Sequence, residues 1–270
     1  MKVNEIPFSL YHTLRLSAIH ESKIRNPEGE VVPVIVSLTT IPSRLNIVNL
    51  VIRNILSQKK IPRKIVLSIN ESLKNSIPKS LKNLESVFFE IHFSPLDAPH
   101  LKLVNALELF PDEVIVTSDD DVLYNHEWLS ALYESHLKYP DKIIAHRIRR
   151  ILYDNNQDPL PYKKWRFITG NESEAYDLLP IGNQGVLYPP GSLSELVTDS
   201  KLFLELTPRA DDLWFKAMAD LKGTGCRLPD RHIGKSYPII GSQSVSLKKD
   251  NVNRDVNRQE WIRLARYFNL

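Results

Sequence analysis

Residues 114–124 read VIVTSDDDVLY, a run of apolar and β-branched residues that leads directly into three consecutive aspartates. The first residues of the run predict a buried strand, because Val, Ile and Thr favour packed positions in a sheet. Asp119, Asp120 and Asp121 follow at the end of this strand, where like charges repel and desolvation of each carboxylate costs several kcal/mol. We therefore expect the strand to end at a site that neutralises carboxylates.

The segments around this strand alternate between strand and helix patterns. Residues 31–38, 64–69 and 87–92 are strand candidates, and each is followed by a segment that we predict to be helical. Further helices are predicted at residues 127–140 and 211–223. Strands rich in Val and Ile on both faces, separated by helices, indicate a parallel sheet covered on two sides. We therefore predict an α/β fold with a mostly parallel central sheet flanked by helices.

The composition bears on partners and location. The 270 residues carry a net charge of +3, which is too small to indicate nucleic acid as a partner. The single cysteine, Cys226, excludes an internal disulfide, so we expect a buried thiol and a reducing, cytoplasmic location. Glu5, His12 and Arg15 interrupt the apolar run that a signal peptide needs, and no stretch approaches the ~18 apolar residues of a spanning helix. A peripheral contact at the inner face of a membrane is compatible with this composition.

Polar segments follow three of the predicted strands. Residues 39–44 follow the first strand, Asn70 and Glu71 follow the second, and the three aspartates follow the fourth. Because ligands gather at the carboxyl ends of parallel strands, we expect these segments to form one wall of a site. Carboxylate oxygens suit Mg²⁺ or Mn²⁺, which complete their coordination with water and substrate phosphates. A solvated turn, or an N-cap of the next helix, would explain the aspartates without a metal.

The strand that ends in Asp-Asp-Asp resembles the metal-binding Asp-X-Asp motif of GT-A glycosyltransferases. Four further segments join it in the family's order: VSLTTIPSR at 36–44, HLKLVNALELFP at 100–111, GNQGVLYPPGSL at 182–193 and TPRADDLWFKAM at 207–218. Together they resemble bacterial family-2-like transferases of capsule, O-antigen or lipooligosaccharide synthesis, over roughly residues 31–265. The resemblance implies a single GT-A, Rossmann-like domain over residues 1–270, with a nucleotide-binding half at 31–125 and an acceptor-binding, catalytic half at 126–270.

The resemblance also implies roles for individual residues. Asp121 and Asp119 would bind the metal together with His232, which stands where many GT-A enzymes supply a third ligand. The residues implied for the nucleotide-sugar site are Thr39, Thr40, Pro42, Arg44, Glu71, Lys102, Asp119, Asp120, Gly185 and Val186. Exposed charges without a ligand are the alternative for Lys102, Arg44 and Glu71, and a structural or exposed role is the alternative for His232.

A second acidic pair, Asp211 and Asp212, opens the helix predicted at 211–223. Transfer of a sugar from a diphosphate requires a base for the acceptor proton and a cation for the leaving phosphate, so one acidic site does not suffice. By resemblance this pair contains the general base of an inverting enzyme, and we favour Asp212 over Asp211. The alternative is that the helix macrodipole alone selects acidic residues in the first turn.

The function implied by these motifs is that of an inverting, metal-dependent glycosyltransferase. It would use Mn²⁺ or Mg²⁺ and move a hexose from a nucleotide-diphosphate sugar, most simply a UDP-sugar, to a glycan or lipid-linked oligosaccharide of a bacterial polysaccharide. A retaining GT-A transferase and a sugar nucleotidyltransferase are alternatives. The absence of glycine from TTIPSR (39–44) counts against the nucleotidyltransferase. A non-catalytic module that binds a cation or a sugar is the alternative outside enzymes.

The strongest basic cluster consists of HRIRR at 146–150 and KKWR at 163–166. This cluster suits an anionic acceptor or an anionic lipid head group. The alternative is a basic surface that contacts only solvent. Tyr162 and Trp165 in the same region would stack on an acceptor sugar or be buried in the core. The residues that we consider for closure over a diphosphate are Lys235, Lys248 and Lys249.

Overall fold

The computed structural model describes residues 3–170, 177–242 and 255–270. Lys248 and Lys249, which the sequence analysis considers for closure over a diphosphate, lie outside the described residues.

Strands and helices alternate along most of the chain. The strands are β1 (Glu30–Thr39), β2 (Lys60–Asn70), β3 (Phe89–Ser94), β4 (Val114–Thr117), β5 (Val122–Leu123), β6 (Ile143–Ala145), β7 (Ile148–Arg150), β8 (Arg166–Phe167), β9 (Leu178–Pro180), β10 (Val186–Tyr188), β11 (Cys226–Arg227) and β12 (Tyr237–Pro238). The α-helices are α1 (Ile6–Ser17), α2 (Glu21–Arg25), α3 (Val48–Leu56), α4 (Lys79–Lys82), α5 (Leu101–Leu109), α6 (Trp128–Lys138), α7 (Ser200–Leu206), α8 (Asp211–Lys222) and α9 (Val256–Phe268).

Seven strands form the central sheet in the order β11-β6-β10-β4-β1-β2-β3. β1 pairs in parallel with β2 and β4, β2 pairs in parallel with β3, and β11 pairs in parallel with β6. β10 runs antiparallel to both of its neighbours, β4 and β6. The prediction of a mostly parallel sheet flanked by helices is therefore confirmed, in a single Rossmann-like α/β domain.

The core lies on both faces of this sheet. Along β1, Val34, Ile35 and Val36 are all fully buried, yet Ile35 belongs to one hydrophobic cluster and its two neighbours belong to the other. Successive side chains of a strand point to opposite faces, so the sheet separates the two clusters. Residues of α5, α8 and α9 cover one face, and residues of α3 and α6 cover the other. This explains why β1 reads as a nearly continuous apolar run.

Several local predictions are met. Gly223 caps α8 in the left-handed conformation with φ of 76°, as its position after the apolar stripe predicts. Cys226 is buried and forms no disulfide. The weakly patterned region after residue 146 forms a small antiparallel sheet in the order β8-β7-β9. Within the described residues, no helix has the length and apolar character needed to cross a bilayer.

Candidate active site

The loops after β1 and β4 emerge at the same edge of the sheet, because the two strands are parallel neighbours. Thr40 Oγ1 donates a hydrogen bond of 2.5 Å to Asp120 Oδ2. Arg44 binds both of the following carboxylates, with Nη1 at 2.7 Å from Asp120 Oδ1 and Nη2 at 2.9 Å from Asp121 Oδ2. One guanidinium group from the neighbouring strand end therefore binds two of the three aspartates.

The other aspartates meet a single ammonium group. Lys102 Nζ lies 2.7 Å from Asp211 Oδ2, 3.6 Å from Asp119 Oδ1 and 3.7 Å from Asp212 Oδ1. We call these four residues the Lys102 cluster. The lysine is 7% exposed, so the alternative of a solvated surface lysine is wrong. Two cations of the chain itself, Arg44 and Lys102, thus bind the carboxylates of both acidic segments.

Three elements bring the cluster together. Asp119 follows β4, Lys102 lies in the first turn of α5, and Asp211 and Asp212 form the first turn of α8. The backbone N–H of Gly182 donates to both carboxylate oxygens of Asp212 at 3.1 Å, which fixes that side chain. A Cβ at residue 182 would lie 2.6 Å from Lys102 Nζ and 2.7 Å from Asp212 Oδ1. Only glycine allows the backbone to approach the cluster this closely.

An aromatic wall stands beside the cluster. The N–H of Asp119 donates to the hydroxyl oxygen of Tyr124 at 2.7 Å, and the Tyr124 ring stacks on Trp128 with centroids 4.3 Å apart. Trp128 Nε1 donates to the carbonyl of Gln184 at 2.7 Å. At Gly185, whose φ is 92°, an added Cβ would lie 2.5 Å from the indole ring. The aromatic pair therefore joins the end of β4 to the glycine-containing segment 182–185.

The two neighbouring acids of α8 have opposite pKa shifts. Burial raises the pKa of Asp212, the Asp211 charge adds to this increase, and the opposing effect of Lys102 is too small to cancel it, so the pKa reaches about 7. Burial acts in the same direction on Asp211, but the closer Lys102 ammonium outweighs it, so the pKa of Asp211 is lowered. One residue of the pair is thus a carboxylate at neutral pH, whereas the other exchanges a proton there.

Burial also shifts the pKa values of other groups near the Lys102 cluster. Burial raises the pKa of Asp119, although Lys102 opposes this effect. Burial also lowers the pKa of His100 to about 4, so its ring is neutral at physiological pH. His100 stacks on Phe203 with centroids 4.3 Å apart, and its Nδ1 has no hydrogen-bond partner. His100 therefore adds a neutral, dry wall behind Lys102 and Asp211.

The site has the oxygen ligands that Mg²⁺ prefers, but not a complete protein cage. Within residues 3–170, 177–242 and 255–270, no group of three or more His, Cys, Asp or Glu side chains is arranged to hold a metal ion. His232 accordingly does not join Asp119 and Asp121 in such a group; it lines a cavity with His146 and Arg147. Mg²⁺ commonly takes one or two carboxylates together with substrate phosphates. Asp119 and Asp211, which face each other across the Lys102 ammonium from different elements, are two carboxylates of the kind that such an ion uses.

The structure brings together some of the predicted residues and leaves others apart. Those joined by the contacts above are Thr40, Arg44, Lys102, Asp119, Asp120, Asp121, Asp211 and Asp212. Thr39 ends β1, Pro42 begins a 3₁₀ helix and Val186 begins β10, so they lie at the same edge of the sheet. Glu71 begins another 3₁₀ helix and is exposed, and Lys235 is exposed as well. Their predicted roles in ligand binding remain predictions.

Of the two alternatives for Tyr162 and Trp165, burial in the core is the one that the structure shows. Trp165 is 2% exposed and Tyr162 is 8% exposed. Trp165 Nε1 donates to the Leu160 carbonyl at 2.7 Å, and its ring meets Tyr162 edge to face. Both rings are therefore committed to packing and offer no face to a sugar. Conversely, the sequence does not single out Tyr124, Trp128 and His100, because nothing in their local pattern distinguishes a residue beside the site from an ordinary core residue.

A narrow cavity of about 140 Å³ begins at the cluster. Asp212 lines one end, and Phe215, Lys216 and Ala219 continue it along α8. Lys216 is buried and binds Asp220. Asp212 therefore borders both the Lys102 cluster and this cavity.

Two solved structures are similar to the chain in fold. The first is CMP:2-keto-3-deoxy-manno-octonic acid synthetase complexed with CTP, with 11% identity and a TM-score of 0.40, covering 74% of this chain and 89% of that one. The second is 4-diphosphocytidyl-2C-methyl-D-erythritol synthase from Anaerococcus prevotii, with 11% identity and a TM-score of 0.42, covering 87% of this chain and 98% of that one. No protein-family model and no curated protein matches the chain.

These comparisons correct the functional expectation. Both similar structures are nucleotidyltransferases and neither is a glycosyltransferase, so the prediction of an inverting glycosyltransferase is corrected at this point. Neither structure supports a UDP-sugar donor or a polysaccharide acceptor. The physical reason is that a strand ending in carboxylates serves any enzyme that handles phosphates, and it does not determine which bond is broken. At these identities the likeness concerns the fold, so the function must be argued from the site.

Proposed function

We propose that the chain is a sugar nucleotidyltransferase, an enzyme that transfers a nucleotidyl group from a nucleoside triphosphate to a hydroxyl group of a sugar. The observation that carries this proposal is the Lys102 cluster. A buried ammonium group lies within 3.7 Å of carboxylates from two separate segments, at the carboxyl edge of a parallel sheet. This edge is where ligands bind in open α/β sheets.

The proposed reaction requires positive charge, a base and an orienting scaffold. Lys102 and Arg44 supply two cations for phosphate oxygens, and electrostatic stabilisation of this kind is the main protein contribution to transfer at phosphorus. In the resting protein both cations bind carboxylates. We propose that they exchange part of these contacts for phosphate oxygens when the triphosphate binds. The carboxylates thus keep the cations in place before the ligand arrives.

Asp212 is the proposed base. The hydroxyl oxygen of the sugar forms a bond to the α-phosphorus, and the bond from that phosphorus to the oxygen bridging to the β-phosphate breaks. Pyrophosphate leaves with this bonding electron pair, and the hydroxyl proton passes to Asp212. A pKa of about 7 suits a general base at neutral pH, because the group is then available as a carboxylate and is still basic enough to accept the proton.

A divalent ion would complete the site. Asp119 and Asp211 are the carboxylates proposed to hold it, since both already face the cation of the Lys102 cluster from different elements. When bound, Mg²⁺ would neutralise charge on the triphosphate and on the departing pyrophosphate. Asp212 is left for the proton because Gly182 holds its carboxylate separately.

The glycine-free loop TTIPSR is compatible with this proposal. A glycine-rich loop binds phosphates through its backbone N–H groups. Here, the side chains of Thr40 and Arg44 occupy the loop's inner face by binding Asp120 and Asp121. The positive charge for phosphate would therefore come from side chains, so the absence of glycine loses its weight as an argument against the class.

The test begins with nucleotide binding. Calorimetric titration with ATP, CTP, GTP and UTP, with and without Mg²⁺, should find one triphosphate whose affinity depends on the metal. Lys102→Met should weaken that affinity about 10- to 100-fold, the value of a charge-assisted contact. Lys64→Met is the matched control, because it removes an ammonium that binds Glu90 at 2.7 Å on β2 and β3.

Turnover completes the test. The triphosphate that binds, mixed with Mg²⁺ and a panel of sugars, should release pyrophosphate, and Asp212→Asn should slow this release about 10²- to 10⁴-fold with little change in nucleotide affinity. Absence of metal-dependent binding for all four triphosphates would refute the proposal. So would equal losses of affinity in Lys102→Met and Lys64→Met.

A further inference from the structure

A second cavity, of about 470 Å³, lies beside the small sheet β8-β7-β9. The residues that matter for its chemistry are His146, Arg147, Phe167, Asp230, Arg231 and His232. Its volume falls within the range of pockets that bind small molecules. The cavity is distinct from the Lys102 cluster, and none of the preceding steps uses it.

Among the described residues that line the cavity, Arg231 and Asp230 are both paired with opposite charges. Arg231 binds Glu127 at 2.6 Å and Glu134 at 3.4 Å. Asp230 likewise binds Lys138 at 2.9 Å and Arg227 at 2.7 Å. These groups therefore contribute little net charge to the cavity.

Arg147 is the exception. Among the described residues it forms no ion pair with a carboxylate; its guanidinium instead lies 4.0 Å from the centroid of the Phe167 ring. Arg149 lies 4.1 Å from the same ring and donates to the carbonyls of Tyr162 and Trp165, so a second positive charge stands nearby. Burial and the charge of Arg149 both lower the pKa of Arg147, which shows that its surroundings disfavour an uncompensated cation. An anion in the cavity would relieve this cost.

The cavity is connected to the candidate active site through one short segment. The N–H of Ile181 donates to the Arg147 carbonyl at 2.9 Å, and the N–H of the next residue, Gly182, donates to Asp212. At the other end of the segment, the Gly185 carbonyl accepts from the N–H of His146 at 3.3 Å. Residues 181–185 thus have the proposed base on one side and the cavity on the other.

We propose that this cavity binds the anionic group, phosphate or carboxylate, of the sugar whose hydroxyl attacks the nucleotide; this assignment rests on the proposed nucleotidyl transfer. Arg147 pairs with the anion, because a guanidinium matches the geometry of both groups. His146 shapes the wall and stays neutral, because burial lowers its pKa to about 4 despite the opposing effect of its hydrogen bond to the Trp128 carbonyl at 3.0 Å. The segment 181–185 then sets the position of the sugar hydroxyl relative to Asp212.

The test uses binding and does not depend on turnover. Glucose 1-phosphate, glucuronate and uncharged glucose are titrated against the full chain by calorimetry, with inorganic phosphate as a further probe. Either or both of the anionic sugars should bind more tightly than glucose. Arg147→Met should weaken that binding about tenfold or more, whereas Arg147→Lys should retain part of it. The comparison of the phosphate sugar with the carboxylate sugar distinguishes the two sources of the anion.

Two controls keep the interpretation specific. Arg166→Met removes a cation from β8, and Arg166 does not line the cavity, so it should leave binding unchanged. Arg147→Met should also retain the affinity for the nucleoside triphosphate. If no triphosphate binds but glucose 1-phosphate binds through Arg147, the nucleotidyl transfer fails while the anion cavity stands.

Three results would overturn the inference. The first is equal affinity for glucose and for both anionic sugars. The second is an equal loss of binding in Arg147→Met and Arg166→Met, which would indicate only a general charge effect. The third is Arg147-dependent binding to phosphatidylglycerol vesicles without binding of any small anion, which would assign the cavity to a lipid head group.

Discussion

Replacement of Asp212 by Asn should stabilise the protein above neutral pH, although it removes a polar contact. The folded pKa of Asp212 is about 7 and its ordinary value is 3.8, a difference of about three pH units. Each unit corresponds to 1.36 kcal/mol, so ionising Asp212 costs the folded state at most about 4 kcal/mol. This cost already includes the attraction of Lys102, so the loss that offsets the gain in asparagine is that of a charged acceptor for the Gly182 N–H. We expect a net gain of about 2 kcal/mol, or about 4–8 °C in melting temperature.

The pH dependence identifies the mechanism. Below pH 4, Asp212 is protonated in both states of the wild type and does not affect the unfolding equilibrium. Between pH 4 and 7 the unfolded chain releases this proton while the folded chain retains it, so the wild type loses stability as the pH rises through the folded pKa. Above pH 7 the loss is complete. The advantage of Asp212→Asn should therefore grow from pH 4 to pH 7 and then remain constant.

Urea denaturation in EDTA, at half-unit steps from pH 4.5 to 8, measures this difference without a bound divalent ion. Asp211→Asn is the matched control, since Lys102 lowers the pKa of Asp211 and the ionised carboxylate stabilises the folded state. That contribution is present above the unfolded pKa and is lost as the pH falls through the folded pKa, so Asp211→Asn should be destabilised at pH 8. Parallel profiles of Asp212→Asn and the wild type across this range would refute the reasoning.

Two further substitutions test the walls of the site. Gly185→Ala should lower the free energy of unfolding by about 3 kcal/mol, because the new Cβ would lie 2.5 Å from the Trp128 indole at a φ of 92°. Gly191→Ala is the control: residue 191 has a φ of 69° but no atom within 4 Å of an added Cβ, so the loss should be only about 1 kcal/mol. Similar losses in urea unfolding would contradict the steric argument. His100→Phe should resist acid better than the wild type, because the folded pKa of His100 is lowered to about 4. As the pH falls from 6.5 to 4, the unfolded wild type takes up a proton on His100 before the folded protein does, which lowers the free energy of unfolding by at most about 3 kcal/mol. Equal losses of stability between pH 7 and 4.5 in the two proteins would exclude this role.

The strand and helix pattern was predictable because it depends on local periodicity. Residues 114–117 form a strand and residues 211–222 form a helix, at the positions that their apolar patterns indicate. The parallel pairing followed from strands that are apolar on both faces. Two features escaped this reasoning: the N-terminal helix α1, and the antiparallel direction of β10, which leaves no trace in the composition of a three-residue strand.

The candidate site was only partly predictable. Its acidic residues were recognisable as chemistry-bearing groups at strand and helix ends, and Arg44 and Lys102 were recognisable as nearby cations. Their pairing was not, because it depends on contacts between segments that are far apart in the sequence. The chemistry inferred from Asp-X-Asp was wrong for a related reason, because carboxylates that face a phosphate do not specify the reacting bond.

The sequence by itself thus determined which segments are buried, how they alternate and which edge of the sheet carries the acidic groups, since burial patterns repeat with the period of each element. Only the tertiary structure decided that Arg44 binds Asp120 and Asp121 and that Lys102 joins three other aspartates. Thr40 and Asp120, which share a hydrogen bond, are 80 positions apart. Contacts at such separations depend on how strands pair and helices pack, and the pKa of a buried carboxylate depends in turn on those contacts.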